Sequence, residues 1–233
     1  MNTPQTVPRL REPHTALPPV GLAALAPSAQ KVLRNTWALL GLTLLFSAAV
    51  AAASAAFALP HPGLMVALVG TFGLFHVVAR TAHSGWGLVA VFGLTGFMGY
   101  TLGPAIAQTL AMPGGAQVVA MALGATAATF LALSASAIAS GRDFSGLGGF
   151  LMVGMVVALL AAIGAIFFQV PALALAVAAM VAALSAGLIL YETSRIVNGG
   201  ESNYVLATVG LYLSIYNLFA SLLQLLGFAN TDE

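Results

Sequence analysis

The sequence contains no cysteine. It therefore carries no disulfide framework, no Cys-ligated zinc or iron–sulfur centre and no thiol nucleophile. Charge is nearly as scarce: seven Lys and Arg and six Asp and Glu make up 6% of 233 residues. Soluble domains carry about 25% charged residues, so this chain cannot cover a globule of its size with polar surface. Disorder is excluded as well, because 60% of the residues are hydrophobic and disordered chains are poor in them. A net charge of +1 offers no field to hold nucleic acid. There is no His-Glu-x-x-His, no Gly-x-Ser-Gly and no intramembrane Asp pair, so no sequence basis for a zinc, serine or aspartyl protease exists. Neither an enzyme nor a cofactor or metal is expected. What remains is a polytopic membrane protein, an all-α bundle whose first partners are membrane lipids.

The few charges mark out the spans. Uncharged stretches run over 35–79, 81–141, 144–191 and 202–231, separated by Arg80, Arg142-Asp143 and the Glu192–Glu201 segment. A membrane-crossing helix needs about 20 apolar residues. Pro60-His61-Pro62, Met112-Pro113-Gly114-Gly115 and Gln169-Val170-Pro171 split the first three stretches once each, since such clusters break helices. The pattern predicts seven helices at about 37–59, 63–79, 86–111, 116–140, 146–168, 171–191 and 204–228. With seven spans, every Lys and Arg lies on the side of the N-terminus and none on the other. The positive-inside rule then places the N-terminus in the cytoplasm and the C-terminus outside. Residues 1–30, interrupted by Pro4, Pro8, Pro13, Pro18, Pro19 and Pro27, read as a flexible cytoplasmic tail ahead of a transmembrane domain over 31–230. They do not read as a signal peptide, because the first long apolar run begins near Trp37.

Small residues recur at spacing four: Ser47, Ala51 and Ala55, then Gly99 and Gly103. In lipid, close approach through small residues is a main source of helix association, so these positions predict packing; Gly99-to-Pro104 is alternatively a hinge. In the last span, Gly210, Ser214, Asn217, Ser221 and Gln224 fall on one stripe, beside a row of Thr208, Tyr212 and Tyr216. Polar groups facing hydrocarbon are costly, so the stripe predicts a helix facing protein. Its groups are either interhelical hydrogen-bonding glue or the lining of a water-filled path. Glu192 is the one acid near a membrane-embedded position. Depth counting at 1.5 Å per residue brings it to the level of Ser214. It is either an interfacial ion pair with Arg195 or a proton-sensitive latch. Arg80 reads as a topology anchor, with latch partner as its alternative. His76 is expected to face the bundle, His61 and His83 to lie in loops, and Arg142-Asp143 to form a solvated turn.

These residues bring a resemblance into view. The run Tyr191-Glu192-Thr193-Ser194-Arg195-Ile196-Val197-Asn198-Gly199-Gly200-Glu201-Ser202-Asn203-Tyr204 resembles the loop before the last helix of the Bax inhibitor-1 family. Leu211-Tyr212-Leu213-Ser214-Ile215-Tyr216-Asn217-Leu218-Phe219 resembles its final helix. Thr95 to Pro104 and Phe144 to Gly149 match further, in order, over about 31–230. The likeness is to the bacterial YccA-like branch. It implies six helices around a central seventh, no enzymatic activity, and residence in a bacterial inner membrane with the C-terminus in the periplasm. It implies two activities: binding and modulation of the membrane protease FtsH, or a pH-sensitive leak for calcium or other cations gated by two acids on the last two helices. Glu192 matches the first acid. Ser214 stands where the second would be, so the pair is incomplete. Calcium takes six to eight oxygens, and one intramembrane carboxylate makes no tight site for it.

Overall fold

The computed structural model describes residues 25–231. Within them lie seven α-helices: α1 (Pro27–Ala56), α2 (Leu64–Thr81), α3 (Trp86–Leu110), α4 (Gly115–Ser140), α5 (Gly148–Phe168), α6 (Pro171–Val197) and α7 (Tyr204–Thr231). A 3-10 turn over Ser145–Leu147 leads into α5. All seven helices are long and apolar enough to cross a membrane, and no strand occurs among the described residues. The expected spans match to within about three residues except at the start of α1, which begins ten residues early, and at the end of α6, which runs six residues further, to Val197. Pro27 there occupies the first helical turn, where its missing N–H costs nothing, and Ala29 and Leu33 are buried against the bundle. Of the tail expected over residues 1–30, residues 1–24 lie outside the described residues, and Pro27 to Gln30 belong to α1 rather than to a tail.

Chain punctuation follows simple rules. Pro171 opens α6, and Gly141 closes α4 in a left-handed conformation that a side chain would strain. The Asn203 side-chain oxygen accepts from the backbone N–H of Val205 and Leu206, at 2.9 and 3.3 Å, and so caps α7. Pro104 sits inside α3 without breaking it. Having no N–H, it leaves the Tyr100 carbonyl free, and the Ser54 hydroxyl of α1 donates to that carbonyl at 3.1 Å. Gly99 and Gly103 lie where any added Cβ would collide with Ser47, Ser54 or the Ala51 carbonyl of α1. That contact is packing in a continuous helix.

The helices alternate in direction. At one end the α2–α3, α4–α5 and α6–α7 loops meet: the Asn203 amide donates to the Ala82 carbonyl at 3.0 Å and the Asn198 amide to the Arg142 carbonyl at 3.2 Å. At the other end Tyr100 donates to the Pro60 carbonyl and Asn230 to the Pro113 carbonyl, each at 2.7 Å. The described Lys and Arg residues, namely Lys31, Arg34, Arg80, Arg142 and Arg195, all belong to the first end, hereafter the basic end.

Burial ranks the helices. Of the membrane-length window of α7, 61% is buried, against 6% for α2 and 17% for α5. α7 packs on α1, α3, α4 and α6, while α2 leans on α3 and α5 on α6. The arrangement is thus four helices about α7 with two further out, rather than the complete ring of six that the resemblance implies. The core around α7 is built from Leu33, Leu40, Leu94, Ile189, Ile196 and Leu211. His76 differs from expectation: it is exposed on outer α2, whose one buried residue is Val78. Two positions along a helix turn a side chain through about 200°, so burying Val78 aims His76 away from the bundle.

Candidate functional site on the last two helices

α6 and α7 form an antiparallel hairpin, and its register decides what Glu192 meets. Glu192 lies six residues before Asn198, and Gly210 six residues after Tyr204. Equal counts from the loop put 192 opposite 210. The structure agrees: a Cβ on Gly210 would lie 2.8 Å from the Glu192 carboxyl carbon and 2.9 Å from its Oε1. A side chain at 210 would displace the carboxylate from this position. Ser214, expected to meet Glu192, is one turn deeper, and its hydroxyl donates to the Gly210 carbonyl at 2.9 Å. Gly210 therefore sits between the two.

A carboxylate this enclosed (15% side-chain exposure) requires a partner. Arg195 provides one, with its guanidinium 3.5 Å from the Glu192 Oε2. The same guanidinium pairs with Glu201 at 3.2 Å and lies over the Tyr191 ring, 5.5 Å from its centre. Glu201 in turn accepts from the Asn203 backbone N–H at 2.9 Å. One arginine thus joins a helix carboxylate to a loop carboxylate, and the loop to the start of α7. Arg80 does not join this group: it is exposed in the last turn of α2, where a cation complements the helix dipole.

A second set of bonds ties the neighbouring loop. Ser194 is fully buried; its hydroxyl accepts from the Phe144 N–H at 2.9 Å and donates to the Arg142 carbonyl at 3.1 Å. Sequence reasoning missed Ser194, Asn198, Glu201, Asn203 and Gly210 as site members. Asn one position before a helix is a favoured N-cap, a signal that could have found Asn203. Gly210 was within reach of a count across the α6–α7 hairpin, while Ser194 and Asn198 needed the α4–α5 loop beside them, which spacing in one segment does not reveal.

Deeper along α7, the row beside the stripe carries the interhelical bonds. Tyr212 and the Ser47 hydroxyl of α1 share a hydrogen bond at 2.6 Å, and Tyr212 donates to the Thr95 carbonyl of α3 at 3.3 Å. Tyr216 and the Thr101 hydroxyl of α3 are 3.0 Å apart; Thr101 donates to the Met98 carbonyl, so Tyr216 is the donor between them. The stripe itself changes along its length. Ser214 and Ser221 are buried, Asn217 is half-buried and Gln224 is exposed. The side chains of Asn217, Ser221 and Gln224 make no hydrogen bond among the described residues. On α6, the fully buried Ser185 hydroxyl also lacks a partner. No cluster of three or more metal-ligating His, Cys, Asp or Glu occurs among the described residues.

Comparison with known proteins places this geometry. Residues 29–231 match the family described as inhibitor of apoptosis-promoting Bax1. The chain is 51% identical over 205 residues to the Escherichia coli K12 protein called modulator of FtsH protease YccA, covering 88% of this chain and 93% of that one. Its counterpart in Escherichia coli O6:H1 is called inner membrane protein YccA and matches to the same extent. An uncharacterised Pseudomonas aeruginosa protein is 48% identical over 202 residues, covering 87% of this chain and 91% of its own.

Proposed function

Since the chain belongs to the Bax inhibitor-1 family, we propose that it binds and modulates the membrane protease FtsH within the bacterial inner membrane. The observation that carries this reading is the 51% identity, over nearly the whole of both chains, to a protein called a modulator of that protease. The multi-pass fold and the inner-membrane name of a relative support the location. The collection of Lys31, Arg34, Arg80, Arg142 and Arg195 at one end supports an orientation with that end and the N-terminus cytoplasmic and the C-terminus periplasmic. In this role the protein is not an enzyme. Its contribution is contact, with the joined loops of the basic end as a platform and the chain ahead of α1 as a segment that an ATP-driven protease can engage. Two measurements test it: co-purification of FtsH with the full chain from native membranes, and turnover of an FtsH membrane substrate with and without the protein. No association and unchanged turnover reject the role.

A second reading is a weak cation leak with Glu192 as a latch. It is favoured by the contact of the Glu192 carboxylate with Gly210 on α7, because closing and opening that contact would move α6 against α7. Flux of calcium into liposomes carrying the wild type and Glu192→Gln across pH tests it. A membrane as tight as empty vesicles rejects the leak, and a profile unchanged by the substitution rejects the latch.

A further inference from the structure

A groove of about 550 Å³ opens at the end opposite the basic loops, flanked by α3, α7 and the first turn of α6. α3 and α6 form no packed interface with each other, so the groove faces outward between them. Its walls are apolar, with Leu102, Leu223 and Phe228. Its inner end is closed by the bonded Tyr216–Thr101 pair. Near its mouth are Gln108 and Gln224, both exposed and without a hydrogen bond among the described residues. Carboxamides at the mouth stand at the level of lipid ester and headgroup oxygens, to which their N–H groups can donate.

We propose that this groove holds one acyl chain of a phospholipid from the leaflet opposite the basic loops, with Gln108 and Gln224 hydrogen-bonded to the lipid's ester or headgroup oxygens. Length selects the occupant. From Thr101 to the end of α3 at Leu110 is nine residue steps, and from Tyr216 to Phe228 on α7 twelve. At 1.5 Å per residue the groove is ~14–18 Å deep, or about half of a ~30 Å hydrocarbon core. That is one leaflet. A partner helix needs an open strip across the whole core, and Tyr216 and Thr101 close this one midway. The polarity runs the same way as a lipid's, amides at the membrane surface and hydrocarbon below. The volume lies within the 300–1,000 Å³ of ordinary ligand clefts. No charged side chain lines the groove, so recognition rests on the chain and the oxygens near it, and headgroup charge is not selected.

The test uses the full chain, delipidated in mild detergent and titrated separately with palmitoyl-oleoyl phosphatidylethanolamine and phosphatidylglycerol under native mass spectrometry. The expected result is one lipid bound ahead of all others, with midpoints for the two headgroups within about twofold. Ala220→Trp, which fills the groove, should weaken that first site at least tenfold. Gln108→Leu/Gln224→Leu keeps the shape and should weaken it several-fold, which leaves the proposal testable if the tryptophan variant does not fold. Leu160→Trp on the exposed face of α5 should change nothing. A first site untouched by both groove changes overturns the proposal, as does a tenfold preference for the anionic lipid. A photoreactive probe on Gln224→Cys, a unique thiol in this chain, reports the occupant in native membranes. An adduct of phospholipid mass supports the assignment, and a polypeptide adduct replaces it with a protein partner.

Discussion

The two ends of the bundle are built differently. At the basic end three loops are fastened by several bonds each: Ser194 is wholly enclosed and bonded to two backbone groups of the α4–α5 loop, and the half-buried Asn203 both caps α7 and holds the α2–α3 loop. At the opposite end the ties are single, exposed bonds from half-buried residues, Tyr100 to Pro60 and Asn230 to Pro113, and a groove remains open beside them. Both ends connect helices of similar hydropathy, so the difference lies in the loops. A helix bundle in lipid gains little from apolar contact between helices. Where it needs a fixed geometry it must use hydrogen bonds to backbone, and this chain spends them at the end where Glu192, Arg195 and Glu201 lie.

The largest effect that follows is at Asn203. Asn203→Ala removes a helix cap, about 1 kcal/mol, and a bond to the Ala82 carbonyl, about 1 kcal/mol more. A loss of about 2 kcal/mol should appear as a lower thermal midpoint in detergent, together with faster proteolysis of the α2–α3 loop. Unchanged proteolysis there would mean that Asn203 caps α7 without holding the neighbouring loop. Ser194→Ala comes next. It leaves the Phe144 N–H without its acceptor, while the Arg142 carbonyl keeps the Asn198 amide. A loss of about 1–2 kcal/mol is expected by the same measurement, and hydrogen exchange should quicken at Phe144 first.

How much of this was legible beforehand depends on what each feature is made of. The seven spans could be read because proline and glycine clusters interrupt the backbone and because charges cannot sit in hydrocarbon. The start of α1 was obscured by Pro27, which in a row of prolines looks like an interruption and in the structure opens the helix. The neighbours of α7 were not legible. The polar stripe showed that α7 faces protein but not which helices it faces, because their buried sides are chosen by local fit, as where Gly99 and Gly103 admit Ser47 and Ser54. The pairing of Glu192 with Gly210 was available from a hairpin count of six residues on each side. A polar residue looked the more natural partner for an acid, and that preference pointed to Ser214, one turn too deep.

At the open end the expected effects shrink. Asn230→Ala should cost no more than about 0.5 kcal/mol, because water replaces a single exposed hydrogen bond to the Pro113 carbonyl. A loss equal to that of Asn203→Ala would abolish the contrast between the ends, and the groove beside α7 would then belong to a rigid wall.

The smallest effect asks whether the basic end depends on its charges or on its neutral bonds. Asp143, in the α4–α5 loop, accepts from the Ser145 backbone N–H at 2.8 Å. That bond, followed by the Ser145 hydroxyl, holds the carboxyl below its ordinary value of 3.8. A lowered folded pKa stabilises the fold above about pH 4 and ceases to do so as pH falls through the folded value. Asp143→Asn should therefore flatten a shallow decline of the thermal midpoint between about pH 5 and 3, and leave the midpoint at neutral pH almost unchanged. The carboxylate is fully exposed, so water and salt screen it, and its share must be less than that of Ser194, whose hydroxyl is sealed from both. An acid-side decline in Asp143→Asn as large as in the wild type would show that the Asp143–Ser145 bond is not its source.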